Sequence, residues 1–171
     1  MRKSFVSGLM IGILLLVGCT TTQLTQTLNA VADAAAVAGI VGSLAPAPYG
    51  NAITTYAGQV SKWCVDTTNE LATSDTNDVK IQKIIADAAS ILVPQIPGLP
   101  PNLQAVVTAT VTAVEVFIRQ LKQIIGPSPT PTARGKVNAY KLSYGDKHEL
   151  GKIRSKANDT IAYIAAHPGA K

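Results

Sequence analysis

The sequence is poor in charged and aromatic side chains, and this limits the kind of protein it encodes. Of its 171 residues, 15% are charged and 5% are aromatic, whereas 47% are hydrophobic. It has no Gln/Asn-rich or acidic low-complexity run, and no internal repeat with a period of roughly 20 to 50 residues. Because the apolar residues are mostly Ala, Val, Ile and Leu, the composition argues against a disordered chain and favours tightly packed helices.

Residues that commonly carry catalysis or bind metals are scarce as well. The two histidines, His148 and His167, lack metal-ligand spacing to a cysteine or to each other. Asp146, His148 and Glu149 cluster, but no G-x-S-x-G motif, P-loop or dinucleotide fingerprint accompanies them. We interpret the cluster as solvated residues at the start of a helix. The sequence predicts no enzyme, no cofactor and no metal site, and an enzyme assembled from distant residues is the last of the alternatives.

Cys19, one of only two cysteines, ends an apolar run at the beginning of the chain. Residues 1–18 start with two basic residues, Arg2 and Lys3, and continue with an apolar stretch over 5–17. This stretch is short for a transmembrane helix, which needs about 20 residues, and its layout is that of a secretory signal. Residues 16–19, Leu-Val-Gly-Cys, resemble the lipobox of bacterial lipoproteins.

The resemblance implies that residues 1–18 are a signal peptide cut between Gly18 and Cys19. The Cys19 sulfur would receive diacylglycerol, and the new N-terminus would be acylated with a fatty acid such as palmitate. Two or three acyl chains anchor a protein durably, because each buried CH₂ contributes roughly 0.8 kcal/mol. By resemblance to enterobacterial sorting rules, Thr20 in place of Asp favours the outer membrane, on its periplasmic side, if the host is Gram-negative. An uncleaved N-terminal anchor helix is the alternative, and residues 19–23 are interpreted as the lipidated cysteine and a tether.

The second cysteine, Cys64, has no partner within the chain if Cys19 carries lipid. It lies beside Trp63, and free cysteines often behave as small buried hydrophobic residues. We favour a buried, structural Cys64, with an intermolecular disulfide as the alternative.

Residues 24–126 show helical periodicity in four segments, which predicts a bundle. The first, 24–45, is rich in alanine and has a line of small residues, Ala35, Gly39 and Ser43, that would let another backbone approach closely. We interpret it as a tightly packed core helix, and a self-associating or membrane-active helix is the alternative.

The remaining segments are separated by proline-rich or polar breaks. They cover 53–71, 78–92 and 103–125. The last keeps its period for the greatest length and is predicted to be the central helix of the bundle. Glu115 and Arg119 argue against a transmembrane role for it, because placing them in hydrocarbon costs several kcal/mol.

Positive charge is concentrated in the C-terminal part of the chain. Residues 134–171 contain eight basic and three acidic residues, whereas 20–126 contain five and seven. Residues 127–135 are interpreted as a Pro-rich linker, and 136–171 as a basic module with a helix from about 147 to 166. Six of its residues form a candidate interaction surface for an anionic polymer or lipopolysaccharide: Lys136, Lys141, Lys147, Lys152, Arg154 and Lys156. A plain solvated face is the alternative.

Together these features predict a mainly α protein, a bundle of about four helices plus a basic C-terminal segment with a further helix. We expect a lipid-anchored envelope protein of bacterial or phage origin. It would act as a non-enzymatic accessory or structural subunit by contact with another protein, at the periplasmic face of the outer membrane. The alternative is a membrane-inserting or oligomerising helical protein of the lysis or envelope-spanning type.

Overall fold

The computed structural model describes residues 21–73, 78–94, 96–125 and 144–168, and within them every regular element is an α-helix. These helices are α1 (Thr21–Leu44), α2 (Tyr49–Ala72), α3 (Asp78–Asp87), α4 (Ala89–Leu92), α5 (Pro101–Ile125) and α6 (Tyr144–Ala166). The single turn of α4 follows α3 after one residue, so the two form one interrupted helix. The predicted mainly α class is confirmed, and a bundle with a C-terminal helix agrees with it in outline.

The alanine-rich helix α1 lies at the centre of the bundle, and the prediction that residues 103–125 take this place is wrong. Helix α1 packs against α2, α5 and α6, whereas α5 packs mainly against α1. A helix with neighbours on three sides has little room for long side chains, which explains the buried Ala35, Ala38 and Gly42. The clean apolar stripe of α5 reflects the opposite situation, because a peripheral helix buries one face only.

Glycines let α1 and α2 approach closely beside the short connection between them. A Cβ atom on Gly42 would lie 2.8 Å from the backbone nitrogen of Thr54. One on Gly50 would lie 2.5 Å from the carbonyl oxygen of Ala45. Real Cβ atoms do not approach backbone atoms so closely, so both positions require glycine.

The small-residue line of α1 faces α6. A Cβ on Gly39 would already be 3.2 Å from the Ile164 side chain. The hydroxyl oxygens of Ser43 and Tyr163 are 3.1 Å apart, and Ala35 is fully buried. The line therefore serves packing within the chain, which confirms α1 as a core helix.

Larger side chains fill the core near the other end of α2. The rings of Trp63 and Phe117 meet edge to face, with centroids 5.7 Å apart and an interplanar angle of 86°. The Trp63 indole also donates a hydrogen bond of 3.2 Å to the carbonyl oxygen of Ile84. This cluster joins α2, α3 and α5. Cys64 next to it is completely buried, which confirms the structural interpretation.

Helix α6 belongs to the bundle although the sequence assigns it to a separate basic module. It begins at Tyr144, slightly earlier than predicted, and packs against α1 and α2. Its residues Leu150, Ile153 and Ala157 are buried in the common core. The predicted linker 127–135 lies outside the described residues, so the domain division at that point stays a prediction.

The directions of α2 and α5 follow from their contacts. Helix α2 returns antiparallel to α1 after the short connection. Tyr49 at its start lies beside Gly98, since a Cβ atom on Gly98 would be 3.8 Å from the Tyr49 hydroxyl. Midway along α5, the Thr110 hydroxyl is 3.4 Å from the carbonyl oxygen of Ala34. Helix α5 therefore starts near the end of α1 and runs antiparallel to it.

Helix α6 runs parallel to α1, because Lys156 contacts Asp33 while Tyr163 contacts Ser43. The start of α1, the end of α5 and the start of α6 therefore lie together. We call this the proximal end, since Thr21 is only two positions after Cys19. The opposite, distal end lies about 35 Å away, at a rise of about 1.5 Å per residue along α1.

Candidate functional site

The residues of the predicted lipidation site, Gly18 and Cys19, lie outside the described residues, so this site stays a prediction. Helix α1 begins at Thr21, within the predicted tether 19–23, and the division between tether and bundle stays a prediction. The alanine and apolar residues that follow this threonine-rich stretch favour a helix, and the helix continues back through the stretch to Thr21. A lipid on Cys19 would consequently lie close to the proximal end of the bundle.

The structure divides the six predicted basic residues rather than gathering them. Lys136 and Lys141 lie outside the described residues. Lys147 and Arg154 are seven residues apart on one side of α6, and helical geometry places Lys152 and Lys156 on another side. The four described residues do not share one face, and the interaction surface stays a prediction.

Three of these side chains already have polar partners. Lys156 donates hydrogen bonds to Asn29 at 2.7 Å and to Asp33 at 2.6 Å. Arg154 donates to Asn69 at 3.1 Å, and Lys152 pairs with Glu149 at 2.8 Å. The contacts of Lys156 tie α6 to α1, and the contact of Arg154 ties it to α2, so part of the basic charge has a structural role.

The cluster Asp146, His148 and Glu149 opens α6. His148 and Glu149 are exposed as expected, but Asp146 is buried, with 5% of its surface exposed. The pairing with Lys152 holds the pKa of Glu149 below its usual value. His167 is at the other end of this helix, where its ring stacks on Tyr163. No group of three or more His, Cys, Asp or Glu side chains in the described ranges could hold a metal ion.

The distal end of the bundle contrasts with the proximal end, because the described residues there include no Asp, Glu, Lys or Arg. Neither residues 34–61 nor residues 88–114 contain Asp, Glu, Lys or Arg, and neither do residues 160–168. The fold brings these three segments together. The exposed part of residues 34–61, 88–94, 96–114 and 160–168 is called the distal surface below. Soluble surfaces usually carry about 25–35% charged residues, so an uncharged surface of this extent is unusual.

Several large apolar side chains are exposed on the distal surface. Val37, Ile40 and Leu44 follow one another on the outer side of α1 and are 52%, 46% and 80% exposed. Val93, at the end of α4, is 65% exposed. Spacings of three and four residues place the three α1 side chains in one line.

Three depressions adjoin this surface, and the largest of them extends beyond it to Thr27, Ala30 and Val116. The largest, about 780 Å³, lies between α1 and α5 and is lined there mainly by Ala and Thr. A second of about 580 Å³ lies between the start of α2 and residues 90–96, and a third of about 450 Å³ between residues 92–99 and α5. Neighbouring depressions share lining residues, Gln104 and Thr108 in one case, Pro94 and Ile96 in the other. They therefore form one continuous band.

The band offers shape and apolar contact but little acid–base chemistry. None of the residues that line the three depressions is charged. Their one ordinary titratable group is the phenol of Tyr56, which donates a hydrogen bond of 3.1 Å to the carbonyl oxygen of Ile91. Burial raises the pKa of Tyr56 to about 12. Such a surface is suited to receiving uncharged side chains.

Two helices of the bundle, α1 over Thr22–Leu44 and α5, are long and apolar enough to cross a membrane by length and composition. In the most apolar stretch of each, 39% and 33% of the residues are buried in the bundle. Core helices of soluble proteins pass the same test, and these two pack against each other. Exposed residues of both helices contribute to the distal surface.

Comparison with known proteins gives no relative: no protein family, curated protein or solved structure matches this chain. The distal surface was missed at the sequence level, although the charge-free runs 34–61 and 88–114 were a usable signal. Only the antiparallel arrangement of α1, α2 and α5 shows that the runs form one end of the molecule.

Proposed function

We propose that the protein is a lipid-anchored envelope protein, held on the periplasmic side of the outer membrane through Cys19. It acts as a non-enzymatic accessory or structural subunit by contact with another protein. The observation that carries the proposal is the sequence Leu16-Val17-Gly18-Cys19 after a positive start and an apolar run of signal length. The start of α1 at Thr21 supports it, since the helical bundle then follows the anchor directly.

The intact mass of the full-length gene product, extracted from host membranes, tests the anchor. The expected mass is that of residues 19–171 plus acyl chains. A Cys19→Ser variant should lack the added mass and leave the membrane fraction. An unlipidated full-length mass for the wild-type protein would overturn the proposal, because residues 1–18 would then be a retained helix.

A second candidate function is membrane insertion or oligomerisation of the lysis or envelope-spanning type. Its supporting observation is the apolar length of α1 and α5 together with their partial burial. Alkali extraction of the Cys19→Ser variant separates the two candidates. A bundle that acts by protein contact should be released into the soluble fraction, whereas an inserting protein should stay with the membrane.

The basic residues of the C-terminal part remain a further candidate contact for an anionic polymer or lipopolysaccharide. The exposed Lys147 is the described residue most available for it. Binding that weakens as the salt concentration rises would support this contact, because exposed charges are screened over about 10 Å at 0.1 M salt.

A further inference from the structure

We draw no further inference here: the strongest candidate, the exposed apolar line Val37, Ile40 and Leu44 beside the groove between α1 and α5, is an unpartnered apolar face, and nothing in the structure shows what covers it.

Discussion

The proximal and distal halves of the bundle are built in opposite ways. In the proximal half, large side chains such as Trp63, Phe117 and Leu121 fill the core. Its surface carries exposed charged residues, including the ion pairs Lys83–Glu70 and Lys152–Glu149. In the distal half, alanine and glycine let the helices approach closely, and the described surface residues are uncharged.

The proximal half mainly stabilises the fold, whereas the distal half mainly offers a contact surface. Burial of large apolar side chains supplies most of the folding free energy, and charged surfaces keep a protein soluble. The distal half gives up surface charge although this favours unwanted association. An exposed apolar surface without charge is expected where another molecule covers it.

The largest effect is expected from the proximal core. Phe117→Ala removes a fully buried ring and its edge contact with Trp63, so the free energy of unfolding should fall by about 3–5 kcal/mol. Urea denaturation followed by circular dichroism measures this. The distal control, Val107→Ala, removes fewer buried atoms and should cost less. A loss below about 1 kcal/mol for Phe117→Ala would show that the aromatic cluster is not packed as described.

A medium effect is expected where α1 and α2 approach closely. Gly50→Ala places a Cβ atom 2.5 Å from the Ala45 carbonyl oxygen, so the helices must separate, at a cost of about 1–3 kcal/mol. Gly58→Ala is the matched control in the same helix, because nothing lies within 4 Å of its Cβ position. That variant should gain about 0.5–1 kcal/mol from helix propensity. Equal melting temperatures for the two variants would refute the close approach.

Cys64 gives a prediction that depends on pH. Burial raises the pKa of its thiol to about 12 from an ordinary value of 9.0. The folded state therefore keeps the thiol protonated where the unfolded state loses the proton, and the associated stability, complete below pH 9, is lost as the pH rises towards 12.

At pH 10 the loss attributable to Cys64 should be about 1.4 kcal/mol, one pKa unit of linkage. The decline in unfolding free energy between pH 8 and pH 10 should be smaller by about this amount in Cys64→Ala. Parallel declines in the two proteins would mean that the thiol is accessible in the folded state. At pH 8, we also expect a thiol reagent to label wild-type Cys64 only after denaturation.

The smallest effect is expected from the proximal ion pairs. Lys83→Met removes the partner of Glu70 at 2.6 Å, but the lysine side chain is 60% exposed and solvent screens the pair. The melting temperature should fall by no more than about 2 °C. Lys62→Met, which changes a lysine outside the ion pairs of the described residues, is the control.

The Lys83 effect should also disappear in acid. The hydrogen bond from Lys83 holds the pKa of Glu70 below its ordinary value of 4.5. The contribution of the pair is therefore present above that value and is lost as the pH falls through the lowered pKa of Glu70. A difference between Lys83→Met and wild type that persists unchanged at pH 2 would contradict this origin.

Local features of the fold were predictable from the sequence. The periodicity of 24–45 and the small-residue line Ala35, Gly39 and Ser43 identified a tightly packed helix, because both depend on neighbouring residues in one element. The identity of the central helix was not predictable in this way. Periodicity measures how one-sided a helix is, so it singled out the peripheral α5 rather than α1, which is buried on three sides.

The candidate site depends still more on long-range arrangement. The missing charge in 34–61 and 88–114 is a property of the sequence, but these runs become one surface only through the helix pairing. The basic residues of α6 illustrate the converse case. They look like one group in the sequence, yet Lys156 points to Asp33 of α1 while Arg154 points to Asn69 of α2. Proximity along the chain is thus a poor guide to a shared face.

Labelling of two engineered cysteines tests the division between the halves most directly. In a Cys64→Ala background, Leu44→Cys and Val79→Cys place equally accessible thiols on the distal and proximal halves, since Leu44 and Val79 are 80% and 72% exposed. Their reaction rates with a water-soluble maleimide are compared in intact envelopes and in purified protein. A covered distal surface predicts labelling of residue 44 at least about tenfold slower in envelopes, with residue 79 unchanged. Equal rates at residue 44 in both preparations would contradict the account.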